Sequence, residues 1–325
     1  MSVPAPPSAG RGAELGVRLR DRDLSAAPAT LNLVESRTPA DREQTAALLR
    51  ELSPAKLGGE AQGHVIGVTG PPGAGKSTLL SALVREWRTR GKSVAVLAVD
   101  PSSKRSGGSL LGDRARIDFD PGDRELFIRS TAAGERLGGL APATRAAAQA
   151  LAPAFDIVVI ETVGVGQSET DVADVADTVA VIVQPGSGDA LQFLKSGIME
   201  TPDVLVVTKA DLGKIAISAR RDLSAALRSL GARDTKVVMV SSVPPPSGIA
   251  DLADAFEDHR AALDLPGRRL AARRAAALAD FAVEHGERGV RGLGGRRAAV
   301  KLLAEQDPAL EVPALVAVLE AKVAA

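Results

Sequence analysis

An α/β fold built on a mostly parallel central sheet, with helical extensions at both ends, is what the sequence predicts, and three observations predict it. Seven short runs, "HVIGVTG", "SVAVLAVD", "ELFIRS", "FDIVVIET", "TVAVIVQP", "DVLVVTKAD" and "KVVMVSS", recur between His64 and Ser242. Most are continuously apolar rather than alternating, which is the pattern of strands buried on both faces. They are separated by segments of helical texture, and strand–helix alternation implies crossover connections and a parallel sheet. The chain on either side of this region carries helical patterns and no strand pattern.

In chain order, the first dozen residues, "MSVPAPPSAGRG", are rich in Pro, Gly, Ser and Ala and read as a disordered tail. Helical patterns follow in "GAELGVRLRDRD" with "PATLNLVESR", then in "DREQTAALLREL" from Asp41 to Leu52. In the last of these, Ala46, Leu48, Leu49 and Leu52 line one helix face. After Ser247 the texture is helical again, Ala- and Arg-rich, with a Gly-rich break expected at "GERGVRGLGG" and a final helix near "PALVAVLEAKV". The expected division is a tail and helical extension over 1–62, a central domain over 63–260 and a C-terminal helical arm over 261–325.

Composition narrows the function classes. With 325 residues and 45% hydrophobic content the chain can bury a sizeable core. Its 40 basic and 40 acidic residues balance, so no global charge points to nucleic acid or an anionic membrane surface. Aromatics make up 2%, with no Tyr, which removes the stacking platforms of single-strand binders. Without Cys there are neither disulfides nor thiolate metal sites. The N-terminus has no apolar signal core and no 18-residue apolar run occurs, so a soluble cytoplasmic protein is expected.

The first strand run leads into "GPPGAGKST": Gly70, Pro71, Pro72, Gly73, Ala74, Gly75, Lys76, Ser77 and Thr78. This matches G-x-x-x-x-G-K-[ST] in the context that the motif requires, with a strand before it and the helical "STLLSALVREWRTRG" after it. Glycines let the loop turn its backbone N–H groups toward phosphate oxygens, and the helix N-terminus adds its positive dipole end. Lys76 supplies a point charge for the β and γ phosphates, and the Ser77 hydroxyl is placed to ligate Mg²⁺. The motif therefore predicts a P-loop NTPase with a Rossmann-like sheet.

The strand "DVLVV" runs into "TKAD", Thr208 to Asp211, where P-loop GTPases carry N-K-x-D. A carboxylate at Asp211 accepts from guanine N1–H and from its exocyclic amine, a donor pair that adenine does not offer. The aliphatic stem of Lys209 would cover the base plane. Thr208 stands in place of the usual Asn, and Ser241 and Ser242 lie where a loop backing the base is expected. For hydrolysis the candidates are Asp100 and Glu161, both at strand ends, either of which can hold Mg²⁺ directly or through water. Gly164 can offer its N–H to the γ-phosphate, Asp113 can position metal or water, and Arg116 can reach developing phosphate charge.

Taken together, "GPPGAGKST", "AVDPSSKRSGGSLLGDRAR", "IETVGVGQSE", "QPGSGDALQFLKSGIME" and "VVTKAD" resemble the MeaB/ArgK family of SIMIBI-class P-loop GTPases over about residues 24–260. The resemblance implies GTP and GDP as substrate and product, and Mg²⁺ as cofactor. It also implies a chaperone role toward an adenosylcobalamin-dependent acyl-CoA mutase, above all methylmalonyl-CoA mutase, in which the protein gates cofactor loading and helps eject damaged cofactor. Matching positions put metal and switch roles on Asp100, Asp113 and Glu161, with Arg116 in the first switch region. "GSGDALQFLKSG" resembles a further switch segment, in which Lys195 is the residue carried over as active-site or relay group. A homodimer through the C-terminal arm is implied as well. Two other functions compete: a GTPase inserting metal into a metalloenzyme, and a P-loop kinase. The first needs soft or imidazole ligands, whereas His64, His259 and His285 are dispersed; the second needs an acceptor site of its own.

Overall fold

A computed structural model of the chain describes residues 10–100, 117, 120–132, 142–162, 172–186, 202–232 and 234–324. Two compact units result: one comprises His64–Thr144 and Phe155–Leu263, and the other Met1–Gly63, Arg145–Ala154 and Asp264–Ala325.

All seven predicted strands form. They are β1 (His64–Thr69), β2 (Val94–Asp100), β3 (Leu126–Ala132), β4 (Ile157–Thr162), β5 (Thr178–Val183), β6 (Val204–Val207) and β7 (Lys236–Met239). They make one sheet in the order β3-β2-β4-β1-β5-β6-β7, and every pairing is parallel. Each residue of β1, β4, β5 and β6 is buried, which is why their sequences are apolar without alternation. Register places Val68 of β1 and Ala98 of β2 opposite Glu161 of β4. Because β4 and β5 flank β1 on opposite sides, the chain changes direction across the sheet around β1. Ligands of open α/β sheets bind at the carboxyl ends of strands at such a switch point.

One face of this sheet carries a hydrophobic core. Ile66, Val68, Val96, Val159, Ile182 and Val206 pack with Leu79, Leu80, Leu83 and Trp87 of the helix Lys76–Thr89, and with Leu252 and Phe256 of the helix Ile249–Ala262. The Trp87 and Phe256 rings lie 6.2 Å apart, and both are fully buried. Trp87→Ala is therefore expected to destabilise this unit by about 3–5 kcal/mol, the usual cost of deleting a buried large aromatic. A urea melt followed by circular dichroism checks this, and a midpoint unchanged from the parent would overturn it.

The polar strand starts are tied down as well. The Thr178 hydroxyl lies 2.7 Å from His64 Nε2 and 2.8 Å from His259 Nδ1, and His259 Nε2 is 3.2 Å from Asp203. Two of the three histidines that the sequence shows far apart thus meet in one hydrogen-bonded chain.

The other unit is helical. In chain order the α-helices among the described residues are α1 (Arg11–Arg20), α2 (Ala27–Glu35), α3 (Pro39–Glu51), α4 (Pro54–Leu57), α5 (Lys76–Thr89), α6 (Pro142–Leu151), α7 (Lys214–Ser229), α8 (Ile249–Ala262), α9 (Leu265–Gly292), α10 (Arg296–Ala304) and α11 (Val312–Ala324). α1 and α3 approach closely because Gly12 has no side chain: a Cβ there would sit 1.8 Å from the Gln44 carbonyl oxygen. α9, α10 and α11 enclose a separate core that includes Phe281, Val290, Leu293, Leu303, Leu315 and Leu319. Arg273 donates to both carboxylate oxygens of Glu60, while Arg269 donates to the Ala61 and Gly63 carbonyls.

The expected Gly-rich break is present, as a kink followed by the end of the helix. α9 kinks at Gly286 (φ 63°, ψ −172°) yet resumes and runs through Gly289 to Gly292. Burial of Val290 and Leu293 in this core outweighs the ~1 kcal/mol per residue that glycine costs a helix. No helix among the described residues is long and apolar enough to cross a membrane.

Candidate functional site

The loop from Gly70 to Gly75 leaves β1 and enters α5, as its sequence demands. Gly70 has φ 144° and lies so close to β5 that a Cβ would fall 2.1 Å from the Ile182 carbonyl oxygen. Gly75 takes a left-handed conformation (φ 90°) at the N-cap of α5, and Lys76 opens the helix. Its ammonium turns back across the loop, donating to the Gly70 carbonyl at 2.6 Å and the Pro71 carbonyl at 3.1 Å, and the residue is 7% exposed. The cation that the motif calls for is thus held over the loop whose N–H groups would face a bound phosphate.

Ser77 and Glu161 come from elements 84 residues apart and meet directly: the Ser77 hydroxyl donates to Glu161 Oε1 at 3.0 Å. β4 lies beside β1, and Glu161 stands opposite Val68, one residue before the end of β1. The carboxylate is 7% exposed. An ionised carboxylate this deep needs a cation or strong hydrogen-bond donors, and the Ser77 hydroxyl is one such donor.

The base-reading candidates form a second cluster, after β6. The Thr208 hydroxyl lies 2.8 Å from the Ala74 carbonyl and 3.1 Å from the Val183 carbonyl, so the residue in the usual Asn position ties the end of β6 to the P-loop and to β5. Lys209 takes a left-handed conformation (φ 53°) and its ammonium donates to Gln184 Oε1 at 2.6 Å. Asp211 is exposed, and its Oδ1 accepts from the Ser241 hydroxyl at 2.8 Å. Ser241 is buried and in turn held by a backbone pair with Ser247; Ser242 follows it in the same loop.

Asp113, Arg116, Gly164 and Lys195 lie outside the described residues, as does the side chain of Asp100, whose backbone ends β2. Three partners were not singled out from sequence: Gln184, and the carbonyls of Ala74 and Val183. Gln184 carried a usable signal, a polar residue directly at the carboxyl end of a buried strand next to β1. The two carbonyls carried none, because backbone acceptors have no sequence signature.

A strand–loop–helix phosphate site at the switch point of a parallel sheet, with a T-K-x-D loop beside it, makes the molecule a P-loop GTPase, which binds GTP and GDP. The chain belongs to the family described as Methylmalonyl Co-A mutase-associated GTPase MeaB, whose model matches residues 27–287. A protein of Pyrococcus abyssi (strain GE5 / Orsay) named as a GTPase is 42% identical over 262 residues, 78% of each chain. Another, from Mycobacterium tuberculosis (strain ATCC 25618 / H37Rv), is 42% identical over 266 residues, 80% of this chain and 78% of that one. The Caenorhabditis elegans protein named methylmalonic aciduria type A homolog, mitochondrial, is 42% identical over 198 residues, 58% of this chain and 49% of its own length. Among solved structures, one described as LAO/AO transport system kinase superposes with a TM-score of 0.64 at 25% identity, covering 99% of this chain and 100% of that one.

The Asp211 geometry carries a prediction about base choice. An asparagine there replaces one acceptor with an amide donor, which would face the donors of guanine. Asp211→Asn is expected to weaken GTP relative to the parent by about 10²-fold or more, and to favour xanthosine triphosphate, whose base offers an acceptor in place of the amine. Competition against a labelled GTP analogue checks this; an unchanged order of GTP over xanthosine triphosphate would remove Asp211 from base reading.

Proposed function

We propose that the protein is a Mg²⁺-dependent GTPase chaperone of an adenosylcobalamin-dependent acyl-CoA mutase, methylmalonyl-CoA mutase above all, acting in the cytoplasm. It gates loading of the cofactor and protects or reactivates the enzyme. The observation that carries this reading is the match of residues 27–287 to a family described as associated with that mutase. The name of the C. elegans relative, which concerns methylmalonic acid, points the same way.

For Mg²⁺, the donor set fits. Ser77 and Glu161 present hard oxygen ligands within hydrogen-bond distance of each other, beside a phosphate loop. Mg²⁺ typically takes one or two protein oxygens together with substrate phosphates and water. Ser77 and Glu161 would hold the ion, with Asp100 at the neighbouring strand end, and the ion would neutralise charge on the β and γ phosphates. In this reading the Lys76 ammonium moves from loop carbonyls to phosphate oxygens, while Thr208 keeps the base loop in register with the phosphate loop. The family resemblance further supports a homodimer through the C-terminal helices, which expose Val283, Val300 and Val323.

The test is affinity capture from the native extract on the tagged full chain, loaded in parallel with a non-hydrolysable GTP analogue and with GDP. A cobalamin-dependent mutase subunit is expected to be retained in one nucleotide state and released in the other. Absence of any such subunit in both states would sink the mutase reading and leave the GTPase standing.

A further inference from the structure

Away from the nucleotide site, α7 and the last strand of the sheet enclose a groove of about 480 Å³, lined by Ile217, Arg221, Leu227, Arg228 and Val237 among others. We propose that this groove docks an extended, acidic segment of a partner protein, laid along the open edge of β7.

Charge is the first argument. Arg220, Arg221 and Arg228 all line the groove and all are exposed, and none of its lining residues is acidic. Among the described residues these three guanidiniums make no ion pair. That contrasts with Arg88 and Arg90, on α5 of the same unit, which are paired with Asp123 and Glu125 and with Glu86 and Asp254. In a chain of zero formal net charge, three unpaired arginines along one helix face form a local cationic stripe. Planar guanidiniums match carboxylates in paired hydrogen bonds.

Shape is the second. Among the described residues β7 ends the sheet and pairs with β6 alone, so its outer edge offers backbone donors and acceptors to a further strand. Its neighbour α7 runs beside it, and from Ile217 to Arg228 spans roughly 16 Å at 1.5 Å per residue. That equals about five residues of extended chain. The floor is apolar: Leu227 is buried, Val237 is half-buried, and Ile217 is 48% exposed. A strand added at a sheet edge gains affinity from main-chain pairing and specificity from alternate side chains. Here the side chains turned toward α7 would be carboxylates, and the alternate ones small aliphatics. Nucleic acid fits less well, because no aromatic residue lines the groove to stack a base.

The probe is a fluorescein-labelled hexapeptide of alternating Glu and Val, titrated with the full chain and read by fluorescence anisotropy. Companion arms use alternating Lys and Val, and the acidic peptide N-methylated at every second amide. The variant carries Arg220→Glu, Arg221→Glu and Arg228→Glu together, and its GTP hydrolysis, which none of these residues serves, confirms that it is folded. Saturable binding of the acidic peptide is expected, at least about tenfold weaker in the variant and at high salt, and lost on N-methylation. Any of four results overturns the proposal: no saturable binding of the acidic peptide, equal binding by the variant, equal binding of the Lys or N-methylated peptide, or displacement by inorganic phosphate or oligothymidylate at lower concentration than by unlabelled peptide.

Discussion

Lys76→Ala is expected to lower kcat/KM for GTP hydrolysis by about 10³-fold or more, the scale on which removing a charge stabiliser from a phosphoryl-transfer site acts. The residue opens α5 and is nearly buried, and its ammonium already spans the loop between the Gly70 and Pro71 carbonyls. The loop sequence Gly70–Gly75 carries no cation of its own. Removing Lys76 also deprives two carbonyls of a charged donor, an expected cost of about 1–3 kcal/mol to the fold. The thermal midpoint therefore has to be measured beside the rate, to separate a dead site from an unfolded one. Lys76→Arg sharpens the test: it keeps the charge but brings a planar fork in place of a compact ammonium, and it is expected to stay far below the parent rate. Phosphate release and displacement of a fluorescent GTP analogue give the two readouts. Parental hydrolysis in Lys76→Ala would contradict the assignment of Gly70–Thr78 as the phosphate site.

How much of this was legible beforehand depends on the range of the interaction involved. β1, β4, β5 and β6 could be read because burial on both faces imposes continuous Val and Ile runs, a local signature. The P-loop could be read because its glycines and Lys76 are needed at fixed spacing within nine residues. Strand order could not be read from the runs themselves, since β4 and β5 look alike in sequence and yet lie on opposite sides of β1. Thr208 shows the same limit at the level of one side chain. Read along the chain, it is a departure from the usual Asn. In the fold, its hydroxyl reaches the Ala74 carbonyl 134 residues away, and a short side chain suffices because β5 and the P-loop are already adjacent. The pairing of Ser241 with Asp211, across 30 residues, gives physical content to a serine that ordinary turn chemistry would explain equally well. At the C-terminus the Gly-rich break could be read as well. Gly286 is non-helical and α9 ends at Gly292, while tertiary burial of Val290 and Leu293 holds the helical turn between them.

Glu161→Gln is the second large effect, and it isolates charge from shape. Glutamine keeps an oxygen that can accept from the Ser77 hydroxyl, so the 3.0 Å hydrogen bond and the packing of β4 against β1 can persist. What disappears is the negative charge that the proposed reading places on Mg²⁺. The expected result is a rise of about tenfold or more in the Mg²⁺ concentration for half-maximal hydrolysis, with kcat reduced by about 10²-fold at saturating Mg²⁺. Little change in thermal midpoint is expected, because neutralising a nearly buried carboxylate removes a desolvation cost along with an electrostatic benefit. Ser77→Ala completes the argument from the other side. If the two oxygens hold one ion, it also raises the Mg²⁺ requirement, and the double variant loses less than the product of the two single effects, since residues sharing a partner do not act independently. A Mg²⁺ titration of Glu161→Gln superimposable on that of the parent protein would exclude the carboxylate from the metal site. It would leave Glu161 as a structural acceptor for Ser77.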